Sequence, residues 1–197
     1  MAKANTIGEF IESCICRTAL FVFLLCGLFL CDPTRALCDP VTGPEYEVKL
    51  GFIYNFINFV TWPETAFKSG SDALTLCLAS DNPFSEVLYK LDGKTIKGKT
   101  LNVIDYQEET CLEQSHILFF ATQDRALIEQ ILNLIKGRSI LTIGETEGFT
   151  RMGGTINFFK ERNRLRFKIN IDAARRNSLK MSSQLLGSAK IVREERK

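Results

Sequence analysis

His116 is the residue best suited by type to acid–base or metal chemistry, and the chain has no other histidine. It opens the apolar run HILFFA (116–121), which is typical of a buried parallel strand. A histidine at the start of such a strand is more often a packed structural residue than a catalytic base. Because no second histidine is available, the usual His/Cys zinc sites lack ligands. We therefore predict no metal site and no catalytic role for His116.

The glycine-containing segments give little support to nucleotide binding or hydrolysis. The loop Gly144-Glu145-Thr146-Glu147-Gly148 follows an apolar segment, as ligand loops of α/β proteins do. Its two carboxylates make it a poor phosphate cradle. Gly148 and the Gly153-Gly154 pair do not form G-x-G-x-x-G, and no serine lies in G-x-S-x-G. These observations predict a protein that is not an enzyme, with no catalytic residues and no cofactor.

Composition is that of an ordinary globular domain. The 197 residues are 45% hydrophobic and 24% charged, with a formal net charge of +2. This balance does not favour a nucleic-acid partner. The modest excess of Lys and Arg between Arg162 and Arg176 is interpreted as a solvated face.

The first 36 residues have the pattern of a secretory signal peptide. An apolar run from Thr18 to Leu30 follows Arg17, and small residues Thr34 and Ala36 suit a cleavage site. We expect cleavage after Ala36, a flexible leader over 37–44 and a folded domain over 45–197. The mature protein would then be periplasmic and would not insert into the membrane. An uncleaved N-terminal anchor is the alternative.

Cysteine usage agrees with export. Of the seven cysteines, only Cys77 and Cys111 lie in the expected folded body. In an oxidising compartment this pair suggests one disulfide, closing a loop of about 35 residues. The alternative is that Cys77 is simply a small buried hydrophobic residue.

Hydrophobic patterns predict strands that alternate with helices. Apolar residues recur at spacings of three and four from Val48 to Val60, with Lys49 placed on the polar side, and Trp62-Pro63 ends this helix. Strands are expected over 73–80, 100–106, 116–121 and 139–143, helices over 84–91 and 123–136, and an acidic loop over 107–115. The fold class is thus α/β, a single-domain sandwich with a mixed, partly parallel sheet flanked by helices.

The C-terminal stretch predicts a β-hairpin followed by a helix. The run Thr155–Phe159 is rich in β-forming residues, Glu161–Asn163 resembles a turn, and 165–170 alternates with a period of two. After Asp172 the apolar spacing becomes helical. The hairpin is expected to lie at the edge of the sheet.

Two blocks of sequence resemble the YfiR family. They are FIYNFINFVTWPETAF (52–67) and the series GGTINF, RFKIN, DAA and KMSSQLL between residues 153 and 186. Together they suggest a resemblance over roughly residues 46 to 192. YfiR proteins are small periplasmic proteins that restrain membrane-bound diguanylate cyclases of the YfiN type.

This resemblance implies a regulatory protein that acts by binding. The expected partner is the periplasmic domain of an inner-membrane diguanylate cyclase, with control linking envelope or redox state to cyclic di-GMP and biofilm formation. The resemblance also implies a homodimer and a Cys77–Cys111 bridge. The second cysteine pair of some members is absent between residues 137 and 155, which puts redox behaviour built on it in doubt. The alternative is a periplasmic small-molecule sensor that acts on a histidine kinase or another membrane receptor.

The contact surface is expected at the glycine-rich loop that opens the strongest motif. Its candidate partner-binding residues are Thr150, Arg151, Gly153, Gly154 and Asn157. The alternative is that Gly153 and Gly154 only permit a backbone turn into the following strand.

Overall fold

Helices and strands alternate along residues 44–68, 71–79, 84–105 and 108–194, which the computed structural model describes. The helices are α1 (Pro44–Phe59), α2 (Phe84–Leu88), α3 (Glu108–Gln114), α4 (Arg125–Leu134), α5 (Ile171–Arg176) and α6 (Ser183–Gly187). The strands are β1 (Val60–Thr61), β2 (Ala73–Leu78), β3 (Thr95–Ile96), β4 (Lys99–Ile104), β5 (Ile117–Phe120), β6 (Leu141–Gly144), β7 (Ile156–Glu161), β8 (Arg164–Asn170), β9 (Lys180–Met181) and β10 (Lys190–Val192). The predicted signal peptide over 1–36 and leader residues 37–43 lie outside the described residues.

One eight-stranded sheet organises the molecule, in the order β10-β8-β7-β6-β5-β2-β4-β3. Neighbours from β7 to β4 run parallel, as do β10 and β8, whereas β7–β8 and β3–β4 are antiparallel. The short strands β1 and β9 pair separately. This confirms the predicted α/β class with a mixed, partly parallel sheet.

Two hydrophobic clusters lie on opposite faces of this sheet. The larger one joins α1 and α2 to the sheet through Ile53, Phe56, Phe84, Phe119 and Phe158, all at most 2% exposed. The smaller one joins α3 and α4 to the other face, and includes Cys77, Cys111, Ile128, Ile131 and Phe149. Helices therefore cover both faces, as a largely parallel sheet requires.

Helix α1 differs in part from its predicted pattern. Lys49, expected on the polar side, is 4% exposed, whereas Val48, expected in the packing stripe, is 49% exposed. Lys49 is buried because two carboxylates neutralise it, as described below. Its burial turns the helix so that Val48 and Tyr54 face outward.

The predicted hairpin is confirmed, but its expected position at the sheet edge is wrong. Arg162 and Asn163 have φ angles of 49° and 61°, as the type I′ turn of a two-residue hairpin requires. Strand β10 then pairs in parallel with β8 at residues 168–170 and takes the edge position.

The predicted helical tail is wrong as a single element. Helix α5 ends before Asn177, and Ser178 has a φ of 56° that no helix continues through. Ser182 then caps the start of α6 by accepting a hydrogen bond from the Leu185 N–H. The tail therefore contains two short helices separated by β9 and followed by β10.

The segment 107–115, predicted as a loop, contains α3. Cys111 is 1% exposed and Leu112 packs against the smaller cluster, so tertiary contacts hold this helix. No helix among the described residues is both long and apolar enough to cross a membrane.

Candidate partner-binding site

The loop between β6 and β7 packs around Phe149, which is 0% exposed. The Phe149 ring leaves no room for side chains at two glycines. A Cβ on Gly144 would lie 2.6 Å from the ring, and a Cβ on Gly154 would overlap it. Gly153 has a φ of 102°, a conformation that favours glycine. These glycines allow the loop to fold against an aromatic side chain.

Asn157, in β7, stabilises the start of the same loop through side-chain hydrogen bonds. Its side-chain amide donates to the carbonyls of Gly144 and Thr146, at 3.1 Å each, and of Phe158, at 3.0 Å. Asn157 is 2% exposed. Because buried carbonyls need partners, this amide stabilises one backbone conformation of the loop.

Asn170 fixes the far end of the loop. Its side-chain N–H donates to the Thr150 carbonyl at 2.8 Å, and its Oδ1 accepts from the Asp172 and Ala173 N–H groups that begin α5. Thr155 adds a backbone hydrogen bond to the Thr142 hydroxyl at 2.8 Å. The loop is therefore held at both ends.

The five candidate partner-binding residues differ in exposure. Thr150, Gly154 and Asn157 lie in the interior, Gly153 is half-buried and Arg151 is exposed. Thr150, Arg151, Gly153 and Gly154 lie in the loop and Asn157 lies in β7. Arg151 is the member whose side chain faces solvent. The contact role remains a prediction.

Beside Arg151 lies a cavity of about 240 Å³. Its polar lining includes Lys136, Arg151, Arg176, Asn177 and Glu194. Both carboxylate oxygens of Glu194 accept from Arg176 Nη1, at 2.9 and 2.8 Å. Glu194, which follows β10, thus contributes a carboxylate to a cavity whose charged lining is otherwise basic.

An ion network centred on the buried Lys49 joins α1 to the loop. The Lys49 ammonium lies 2.8 Å from Glu145 and 3.1 Å from Glu45, and Lys160 of β7 lies 2.6 Å from Glu45. Burial alone would lower the pKa of Lys49, but the hydrogen bonds and charges of Glu145 and Glu45 outweigh it and raise that pKa above its usual value. The network holds the loop against α1.

The pKa of the Glu45 carboxyl is shifted in the opposite direction, below its usual value. The hydrogen bond from Lys160 lowers its pKa, burial partly opposes this, and Lys49 adds to the lowering. The sequence analysis missed this network because Lys49 and Glu145 are 96 residues apart. A single lysine in the otherwise apolar Val48–Val60 pattern was the available signal.

His116 packs directly before β5, against Phe67 and the Thr75 backbone. Its Nδ1 accepts a hydrogen bond from the Thr75 N–H at 3.1 Å, and its ring stacks on Phe67 with 4.9 Å between centroids. Burial lowers the pKa of His116, the Ala66 backbone partly opposes this, and the Lys99 charge adds to the lowering. A histidine held largely neutral suits packing between strands.

Cys77 and Cys111 are joined in a disulfide, with 5.8 Å between their Cα atoms. Both residues are at most 1% exposed. The bond links β2 to α3 and lies inside the smaller hydrophobic cluster.

One glycine-rich segment has the spacing of a phosphate-binding P-loop. Residues Gly93–Thr100, GKTIKGKT, match G-x-x-x-x-G-K-T, a match that the sequence analysis overlooked. A P-loop connects a strand to a helix N-terminus, whereas these residues form the β3–β4 hairpin. The Lys99 ammonium lies over the Phe67 ring, 4.0 Å from its centroid. The spacing therefore does not correspond to a phosphate cradle here.

Metal binding finds no support in the part of the chain that the structure describes. No group of three or more His, Cys, Asp and Glu side chains among those residues could hold an ion.

A family model described as YfiR/HmsC-like matches residues 46–190. The match extends from α1 to the first residue of β10, and it includes the loop, the Lys49–Glu145 ion pair and the disulfide. None of the curated proteins compared with this sequence matches it.

Proposed function

Because this chain belongs to the YfiR/HmsC-like family, we propose that it binds the periplasmic domain of an inner-membrane diguanylate cyclase and holds that enzyme inactive. At the level of the family, the chain is a periplasmic regulator of diguanylate cyclases and is regulatory rather than catalytic. The family match over residues 46–190 is the observation that carries the proposal.

Export is part of the same proposal. Residues 1–36 would act as a cleaved signal peptide, with 37–44 as leader and 45–197 as the regulatory domain. A protein outside the inner membrane cannot touch a cytoplasmic catalytic domain. Control would therefore pass through the sensor part of the cyclase.

Such control requires a difference in affinity between two states of the cyclase. A regulator that binds the inactive state more tightly shifts the population toward it, and moving the ratio from 1:99 to 99:1 takes about 5.5 kcal/mol. A rigid surface suits this task because little conformational entropy is lost on binding. The loop around Phe149 is held by buried side-chain hydrogen bonds and leaves Arg151 exposed, which supports the proposed contact region Thr150–Asn157.

The redox state of the envelope would act on the regulator by reducing or forming the Cys77–Cys111 bond. Loss of the bond would loosen α3 and β2, and a less stable regulator would hold its partner less well. This is the proposed link from envelope condition to cyclic di-GMP and biofilm formation.

The proposal is tested with a membrane diguanylate cyclase of the same organism, reconstituted in lipid nanodiscs. Adding purified residues 37–197 to the sensor side should lower cyclic di-GMP synthesis in a saturable manner. The same addition to the isolated catalytic domain, which lacks the sensor part, is the control and should have no effect. Equal rates with and without the regulator at every concentration would contradict the proposal.

A small-molecule sensor that acts on a histidine kinase or another receptor is the second candidate. The 240 Å³ cavity beside Arg151 favours it, because Lys136, Arg151 and Arg176 suit an anionic ligand. An anionic ligand that co-purifies with the protein, and is lost in Arg151→Gln, would support this function.

A further inference from the structure

The outer edge of β8 is only partly covered. Strand β10 pairs with Lys168, Ile169 and Asn170, whereas β8 begins at Arg164. Residues 164–167 therefore have no neighbouring strand on that side among the described residues. A row of unpaired backbone groups of this kind is a template for another strand.

The hairpin register shows which backbone groups face that edge. In a two-residue hairpin, the residues that flank the turn form a hydrogen-bonded pair, and here these are Glu161 and Arg164. Arg164, Arg166 and Lys168 therefore direct their backbone groups toward β7. Leu165 directs its N–H and C=O toward the open edge, and Phe167 directs its N–H there, whereas the parallel register pairs the Phe167 carbonyl with the Lys190 N–H.

A hollow of about 260 Å³ lies at this edge. Its lining combines aromatic side chains of β7 and β8 with the segment that leads into β10: Phe159, Glu161, Arg166, Phe167, Gly187, Ser188, Ala189 and Lys190. The hollow therefore lies between the face of the hairpin that carries Arg166 and the segment that leads into β10.

The charge beside this edge is strongly positive. Cross-strand pairing places Arg164, Arg166 and Lys168 on one face of the sheet, and the parallel register adds Lys190 to the same face. Glu161 is the acidic side chain on that face of the hairpin, 3.7 Å from Arg166. Residues 160–197 contain twelve Lys and Arg but only four Asp and Glu. Residues 44–159 contain ten Lys and Arg and fifteen Asp and Glu.

The opposite face at the same edge is apolar. Leu165 is half-buried and packs against the larger cluster, and Phe167 is 5% exposed. Successive side chains of a strand added beside residues 164–167 would therefore lie in two alternating environments. One face would meet arginine side chains and the other would meet the margin of the core.

We propose that the open edge of β8 binds an extended segment of the membrane partner as an added β-strand, and that this segment alternates acidic and apolar residues. Backbone hydrogen bonds to the Leu165 N–H and C=O and to the Phe167 N–H supply affinity, and the alternating side chains supply specificity. The inference rests on the proposed function, since it assigns the segment to the periplasmic domain of the cyclase. A lipid surface would use the charges but not the backbone groups.

The competing explanation is that the arginines only protect the edge from unwanted pairing, since charged side chains commonly serve that purpose. The two explanations predict different binding of peptides that have the same composition but a different order of residues. Protection predicts no binding of any strand-forming peptide.

The first test uses fluorescent synthetic peptides with the whole mature chain. An eight-residue peptide of alternating Glu and Val should bind, and the amides of Leu165 and Phe167 should become protected from hydrogen exchange. A peptide with four Glu followed by four Val has the same composition and should bind at least about tenfold more weakly. Equal affinity for both peptides, or no binding of the alternating one, would overturn the inference.

The second test uses three variants with the cyclase periplasmic domain. Arg166→Glu reverses a charge, and Leu165→Pro removes an outward N–H at a position where edge strands tolerate proline. Each should weaken binding at least about tenfold, whereas Lys94→Glu, at an exposed lysine near β3, should leave it unchanged. If Leu165→Pro lowers the urea midpoint, Arg166→Glu alone decides this test.

The outcomes separate the two proposals. If the domain binds wild type and Arg166→Glu equally, the inference fails and the proposed function stands. If the domain does not bind wild type, the proposed function and the inference both fail.

Discussion

Three asparagines hold much of the backbone in the C-terminal half. Asn157 donates to three carbonyls, Asn170 joins the loop to α5, and Asn177 donates to the Ile140 carbonyl while accepting from the Gly137 N–H. All three are at most 6% exposed. Amide side chains suit this task because each carries both donors and acceptors. The asparagines in the C-terminal motif thus have a structural explanation independent of any partner.

Gly154 and Gly51 provide a matched pair of glycine substitutions. A methyl group in Gly154→Ala would overlap the Phe149 ring, so we expect a loss of about 1–3 kcal/mol in the free energy of unfolding. Gly51 lies in α1 with no atom within 4 Å of an added Cβ. Gly51→Ala should therefore gain about 0.5–1 kcal/mol. Urea unfolding measures both, and equal effects would contradict the packing described here.

The Glu45 ion pairs predict a loss of stability in acid. Because the folded-state pKa of Glu45 lies below its ordinary value of 4.5, its contribution is present above that pH and disappears as the pH falls through the folded-state pKa. The difference in unfolding free energy between wild type and Glu45→Gln should therefore shrink as the pH falls below 4.5 and through the folded-state pKa. Glu129→Gln, at an exposed residue of α4, controls for net charge. A difference that is constant with pH would contradict the network.

At the scale of elements, the disulfide should stabilise the contact between β2 and α3. It closes a loop with a sequence separation of 34, for which the chain-entropy model gives about 3–4 kcal/mol. Cys77→Ser and Cys111→Ser should each lower the melting temperature by several degrees. Melting temperatures that are the same with and without reductant, after full reduction in denaturant and refolding, would rule this out.

Burial of both sulfurs also predicts slow reduction of the native protein. Cys77 and Cys111 are at most 1% exposed, so a thiol must wait for local opening before it attacks. Adding a low concentration of urea should accelerate the appearance of free thiols. Reduction at the rate of an exposed disulfide would show that α3 opens freely.

Local sequence patterns predict those elements that local interactions determine. The sequence predicted the helices α1 and α4 by their periodicity, the apolar strand β5, and the turn at Arg162–Asn163. The mixed α/β sheet followed from the order of these elements. Strand β10 was missed because its three residues form a strand only by pairing with β8. Helix α3 was missed because the disulfide and the smaller cluster, rather than a clear apolar period, hold it.

The candidate site was predicted less completely for the same reason. The sequence indicated the glycine-rich loop but not that Phe149 fills it, since this requires knowing that Gly144 and Gly154 approach one ring. Nor could it show that Lys49 pairs with Glu145, because the ion pair joins α1 to the end of β6. Contacts across the sheet carry no local signature.

At the scale of the whole molecule, we propose that the chain forms a homodimer through the outer face of α1. Val48 and Tyr54 are 49% and 37% exposed there. Sedimentation at micromolar concentration should show a dimer that Val48→Glu dissociates. Leu134→Glu, at a residue 64% exposed on α4, should leave the dimer intact. Wild type that sediments only as a monomer would contradict the proposal.

Repression of a membrane diguanylate cyclase is the central claim, and intracellular cyclic di-GMP in a deletion strain tests it most directly. Deleting the gene while a candidate cyclase is expressed should raise cyclic di-GMP and biofilm formation. A copy with residues 1–36 should restore the original level, whereas a copy without them should not, because it stays on the wrong side of the membrane. Cyclic di-GMP that is unchanged by the deletion would contradict repression of that cyclase.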